Sequence, residues 1–343
     1  MKKSLLLIFG ISQFCMAELY VSNVRLGYLG DCMMSFAIAK AISLQYKIDF
    51  QYHPFEYSHL FVLDETQWAG PAAAKAEKIS FDGLGTYEQN VELYKNLAGT
   101  YVLPAYCLTP VGCHVSNEIV QEIRRLVQPK HAPAVAFPHD QLTVGVHIRK
   151  GNGGGKYYDG ELTSLQLFDH DYPVIYNPVT THAFESLIEY DIFGRQRWTM
   201  DAGYTMLSLK FPPEQYYVDQ IKKVSSDLGD RPFCIWIVTD DKTPSMLVKR
   251  IKKAVNKPNI TYRYLYNRKK THNERIIEDL WCLAQCNGLI RSQSHFAKIA
   301  ELMGNHEFVF FSGSHKWVDK KMIITGVATK NYQAFLDHHR MTQ

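Results

Sequence analysis

The sequence predicts an α/β protein built from two Rossmann-like domains, and three observations carry that expectation. Short apolar runs ending at glycine or polar turns alternate with segments of helical periodicity, the pattern of parallel strands joined by crossover helices. The chain has 343 residues, more than one hydrophobic core usually serves, so two units of ~150 residues are expected. A linker-like stretch, Pro129 to Pro138, lies between two such series and sets the boundary near residue 140.

Leu19 to Val24 reads as a strand and Gly27 to Gly30 as a turn. Asp31 to Tyr46 reads as a helix, with Met34, Ala37, Ile38, Ala41 and Ile42 at helical spacing, and Lys47 to Tyr52 as a second strand. His53 to Ser116 is loop-rich, and a helix from Asn117 to Val127 stops before Pro129. Leu142 to Ile148 is a strongly apolar strand with Arg149, Lys150 and a glycine-rich run, Gly151 to Gly155, at its carboxyl end. Functional loops of parallel sheets sit at that end. Residues 157–212 are tyrosine-rich and weakly periodic, like an insertion. The rhythm then resumes: helix Glu214 to Leu228, strand Phe233 to Val238, helix Pro244 to Val255, strand Asn259 to Tyr266 and helix Asn273 to Gln285. Strand Gly288 to Arg291, helix His295 to Met303 and strand Phe308 to Phe311 complete the series, leaving residues 313–343 as a tail.

Composition excludes several classes. At 46% hydrophobic and 21% charged residues the chain is neither disordered nor fibrous. Its net charge of +4 is scattered, so nucleic acid is not an expected partner. Lys2 and Lys3 precede an apolar run from Leu5 to Ile11, and Cys15-Met16-Ala17 offers small residues for cleavage, so residues 1–17 read as a signal peptide. A start at Met16 is the alternative. The run is below the ~20 residues that span a bilayer, and no integral membrane segment is expected. Six of the seven cysteines lie beyond residue 17, too sparse for a disulfide framework. Cys282 and Cys286 share a helix face and read as packed thiols; pairing of Cys107 with Cys113 is left open.

The glycine run is not a P-loop, because the required Gly five before Gly155 is Lys150 and Lys156 is followed by Tyr157. A dinucleotide fingerprint from Gly151 fails at Lys156. What remains is a buried strand delivering His147, Arg149 and Lys150 beside backbone N–H groups able to approach phosphate. Thr239-Asp240-Asp241 ends an apolar strand and reads either as a ligand-facing carboxylate pair or as a helix cap. Ser292-Gln293-Ser294 opens a helix and reads either as an anion site or as a plain N-cap. Asp169-His170-Asp171 has metal-binding spacing without an apolar strand before it. No serine nucleophile elbow and no zinc-protease helix occurs.

Four pieces, in order, carry a resemblance: Gly27 to Cys32 running into an Ala-rich helix; Val144 to Gly153 with His147, Arg149 and Asn152; Val238 to Asp241; and Asp279 to Cys286 followed by Ile290 to Ala297. Together they resemble the α-1,6-fucosyltransferase family, its bacterial nodulation branch more than its animal core-fucosylating branch. The resemblance implies a GT-B-type glycosyltransferase with an acceptor-side domain over 18–140 and a nucleotide-sugar domain over 141–312. It further implies an inverting reaction with GDP-fucose as donor, a glycan acceptor, no metal and no other cofactor. Arg149 then grips the diphosphate, with His147, Lys150, Asn152, Gly153, Asp240, Asp279, Ser292 and Ser294 around the nucleotide. Gly154 and Gly155 stand where the nodulation branch has an acidic residue, so Asp159 and Glu161 are the candidate bases. An exported sugar- or nucleotide-sugar-binding protein of the same fold is the rival reading. Export by residues 1–17 conflicts with a donor made in the cytosol, whereas a start at Met16 does not.

Overall fold

The structure is a computed structural model that describes residues 18–25, 27–65, 77–78, 91–93, 99–105, 115–138, 140–149, 174–183, 212–241, 243–265, 272–318 and 321–341. The described residues form two sheets. The first comprises β1 (Glu18–Asn23), β2 (Asp49–Gln51), β3 (Glu77–Lys78) and β4 (Thr100–Ala105) in the order β2-β1-β4-β3, all parallel. Helix α1 (Leu29–Tyr46) connects β1 to β2, and α2 (Asn117–Leu126) follows β4. The sequence showed β4 only as loop because Pro104 interrupts it, and proline cannot donate to a ladder. Pairing with β3 involves Tyr101 and Val102, so among the described residues no strand pairs with Pro104 on that side.

The second sheet has the order β6-β11-β10-β9-β5-β7-β8. Its strands are β5 (Leu142–Ile148), β6 (Val174–Ala183), β7 (Phe233–Thr239), β8 (Ile260–Tyr264), β9 (Gly288–Arg291), β10 (Phe308–Val318) and β11 (Lys321–Lys330). The helices are α3 (Glu214–Leu228), α4 (Pro244–Val255), α5 (His272–Gln285), α6 (His295–Met303) and α7 (Tyr332–Met341). All strand pairs are parallel except β10 with β11. Two expectations change here. The segment expected as a tail holds the end of β10, all of β11 and α7, because register shifts around Ser314 let the strand pass a Ser-Gly-Ser stretch that reads as a turn. Within the segment read as an insertion, residues 174–183 form the sheet's edge strand.

Alternation along the central strands assigns the faces. Val144, Val146, Ile148, Phe233, Ile235 and Ile237 pack into one core with apolar residues of α3, α4 and α7. Cys234, Trp236 and Val238 face the other way, into a core that also contains α1, the first sheet, α5 and α6. Helix α1 is therefore buried nearly all round, not along one stripe, because it lies between its own sheet and the helices of the other. Cys282 and Cys286 are buried free thiols, and burial pushes both well above the usual thiol range, as packed thiols should be. Among the described residues no helix is long and apolar enough to cross a membrane.

Candidate functional site

In the second sheet the chain builds β7 and β8 on one side of β5, then returns to add β9 and β10 on the other. The reversal lies between β5 and β9, and in open α/β sheets the crevice at such a switch point, outside the carboxyl ends of the strands, is where ligands bind. His147 is in register with Arg291, so Arg149 and Ser292 to Ser294 leave adjacent strands side by side. The Arg149 guanidinium donates from Nη1 to Ser294 Oγ at 3.2 Å. The Nδ1 of His147 lies 3.2 Å from Ser292 Oγ. Both serines are fully buried.

The Ser294 side chain does not act as a cap. Ser294 is the N-cap of α6, yet its side chain makes no capping bond; the hydroxyl meets Arg149 instead. His147 is buried, and its pKa falls to about 3 through burial first and then through repulsion by Arg149 and Arg291. The imidazole is thus neutral at physiological pH, and the Arg149 cation beside it favours an anion.

On the other side of β5, Ile148 pairs with Thr239 at the end of β7. Asp241 accepts from the Thr243 N–H at 2.6 Å and the Thr243 hydroxyl at 3.0 Å, shaping the turn into α4, while its own N–H donates to Thr239 Oγ1 at 3.1 Å. Asp240 is exposed. Asp241 thus shapes the turn without capping the helix, whose N-cap is Thr243.

Helix α5 runs back along the sheet with Leu283 and Cys286 against Gly145. Asp279, one turn before Leu283, lies on the same stripe but closer to the strand ends. Its carboxyl is raised to about 8 by burial and by Glu278, against the opposing effect of Arg275. Beneath the site Arg291, fully buried, donates to Glu301 at 2.7 Å, and Lys330 reaches the other Glu301 oxygen at 3.1 Å.

Two elements contribute residues to which the sequence attached no role. Tyr217 is fully buried in the first turns of α3, edge-on to Tyr216, whose hydroxyl donates to the Arg291 carbonyl at 3.2 Å. Burial raises the Tyr217 phenol, Ser292 and the Arg149 backbone lower it and Asp240 raises it, so its hydroxyl lies among these three. It satisfies hydrogen-bond geometry with none of the described residues. Asp31 lies in the first turn of α1, just after the loop that leaves β1, where Gly27 has φ +81° and only glycine sits without strain. Its Oδ2 accepts the Tyr28 N–H at 3.0 Å, and His295 Nδ1 donates to its Oδ1 at 2.5 Å. A helix-start aspartate reads as a cap, so no sequence signal marked its distant partner.

Lys150, Asn152, Gly153, Asp159 and Glu161 lie outside the described residues, as do Asp169-His170-Asp171, Cys107 and Cys113. Among the described residues no group of three or more His, Cys, Asp or Glu side chains could hold a metal.

No protein-family model matches the chain, and neither does any curated protein sequence. Solved structures do. Fucosyltransferase NodZ from Bradyrhizobium aligns with 14% identity and a TM-score of 0.44, over 87% of this chain and 95% of that one. NodZ α-1,6-fucosyltransferase soaked with GDP-fucose gives 15%, 0.43, 86% and 94%. POFUT1 in complex with GDP-fucose gives 9%, 0.42, 85% and 94%.

Proposed function

We propose that the chain is a GT-B-type, inverting glycosyltransferase that moves fucose from GDP-fucose to a carbohydrate acceptor, as the α-1,6-fucosyltransferases do, without a metal. The observation that supports this most is Arg149, braced by the buried Ser294 at the β5–β9 switch point beside a neutral His147. When the bond from fucose C1 to the β-phosphate oxygen breaks, its electron pair stays with GDP, and a planar guanidinium can meet two oxygens of the growing charge. The acceptor hydroxyl attacks C1 from the opposite face, which inverts the centre. Its proton passes to a carboxylate, for which Asp159 and Glu161 remain the candidates. Lys150, Asn152 and Gly153 would complete the diphosphate cradle, and Asp240, Asp279, Ser292 and Ser294 the rest of the nucleotide site.

The test is ligand-induced stabilisation. GDP should raise the melting temperature more than UDP or CMP at equal concentration, since a ligand stabilises the native state it binds. Equal shifts with all three, or none, overturn the donor reading. GDP binding with no GDP released from GDP-fucose, with or without glycan acceptors, would favour a binding protein over an enzyme.

A further inference from the structure

Helix α6 carries the site's serine segment at its start, and residues of the first half of the chain grip it at both ends. At its carboxyl end Arg124 Nε donates to the Leu302 carbonyl at 2.9 Å and Gln128 Nε2 to the Met303 carbonyl at 3.1 Å. At its amino end Asp31 accepts from His295 at 2.5 Å, and His295 directly follows the serine that holds Arg149. The two elements meet closely there. A Cβ on Gly30 would stand 2.4 Å from the backbone nitrogen of Phe296, and neither neighbour is a flexible side-chain end that could yield. The Phe296 ring in turn packs against His147, with centroids 5.6 Å apart. His295 is almost fully buried.

From these contacts we infer that Asp31 is a positioning residue for the nucleotide site: through His295 it fixes the backbone of Ser292 to Phe296, and thereby the hydroxyls that hold His147 and Arg149. Asp31 can do this because its other oxygen is anchored to the Tyr28 N–H of its own turn, so the carboxylate is a fixed point. The reaction it serves is the one proposed above. The grip by Arg124 is the internal comparison, since it joins the same two halves through the same helix but at the end away from the site.

The experiment compares full-length Asp31→Ala, Asp31→Asn and Arg124→Ala proteins. Two quantities are read: amide hydrogen exchange over residues 292–298, and GDP affinity by calorimetry. Asp31→Ala should speed exchange in that segment and weaken GDP roughly tenfold, the scale of one hydrogen bond to a charged group. Asn keeps an acceptor for the His295 N–H and should recover most of both. Arg124→Ala should lower the melting temperature without either effect. Unchanged exchange over 292–298 in Asp31→Ala overturns the inference, as does faster exchange with unchanged GDP affinity, or an equal loss of affinity in Arg124→Ala. Faster exchange in an Asp31→Ala protein whose wild type binds no GDP upholds the positioning contact and overturns the donor.

Discussion

Replacing Arg149 with lysine tests the group on which the proposed chemistry depends. Lysine keeps the charge and loses the planar fork, so a side chain that now meets Ser294 Oγ at 3.2 Å would become a mobile point charge. The structure sets the scale. The guanidinium is held by a fully buried hydroxyl at a strand end, so it is preorganised before the leaving group develops charge. Removing one preorganised stabilising group typically costs about 3–4 kcal/mol, or roughly 10²- to 10³-fold in rate. Because the stabilisation grows along the reaction, kcat for transfer from GDP-fucose should fall more than GDP affinity does. Arg149 follows the last residue of β5, outside the apolar core, so the urea midpoint should move little. A folded Arg149→Lys protein with near wild-type kcat would refute the assignment.

Asp279→Asn probes the raised carboxyl: between pH 4 and 8 the unfolded chain ionises while the native one keeps its proton, so native stability falls as pH rises. The gap between 3.8 and about 8 allows at most ~6 kcal/mol, and partial solvent contact reduces it to on the order of 3; the Asn protein should lose this slope in urea melts taken across that window. Glu301→Gln leaves the fully buried Arg291 without its countercharge and should destabilise by about 3–5 kcal/mol in urea; a loss below about 1 kcal/mol would show that the triad is not a buried charge network. Tyr217→Phe removes a buried hydroxyl without a partner among the described residues and should leave the urea midpoint unchanged or raise it slightly. Transfer activity should survive excess EDTA, and restoration by Mn or Mg of activity that chelation had abolished would return Asp169-His170-Asp171 to consideration.

The second sheet was legible because its local signals agree. The strand Leu142 to Ile148, the helices Glu214 to Leu228, Pro244 to Val255 and His295 to Met303, and the strand Gly288 to Arg291 fall where periodicity and breakers put them. What failed were places where pairing overrides local chemistry. Thr100 to Ala105 becomes a strand despite Pro104 because β1 pairs with it along six residues. Phe308 to Val318 continues through a glycine and two serines because β11 lines its edge. At the site, His147, Arg149 and the serines could be named from the end of a buried strand and the start of a helix. Their pairing could not, because it depends on β9 returning beside β5 and not beside β8.

The two halves carry opposite charges at comparable places in this topology. In the first sheet β1 lies between β2 and β4, and in the second β5 lies between β9 and β7, so each half places its first strand's outgoing turn at its own switch point. The segment after β1 carries Asp31 and the one after β5 carries Arg149. A carboxylate facing a diphosphate would oppose binding, whereas here Asp31 accepts from His295 and so spends its charge on the helix that braces the cation. The signs of these two residues favour an anionic ligand on the carboxyl ends of the second sheet. They leave the first half a different task, which is to hold α6 in the position where Ser294 can hold Arg149.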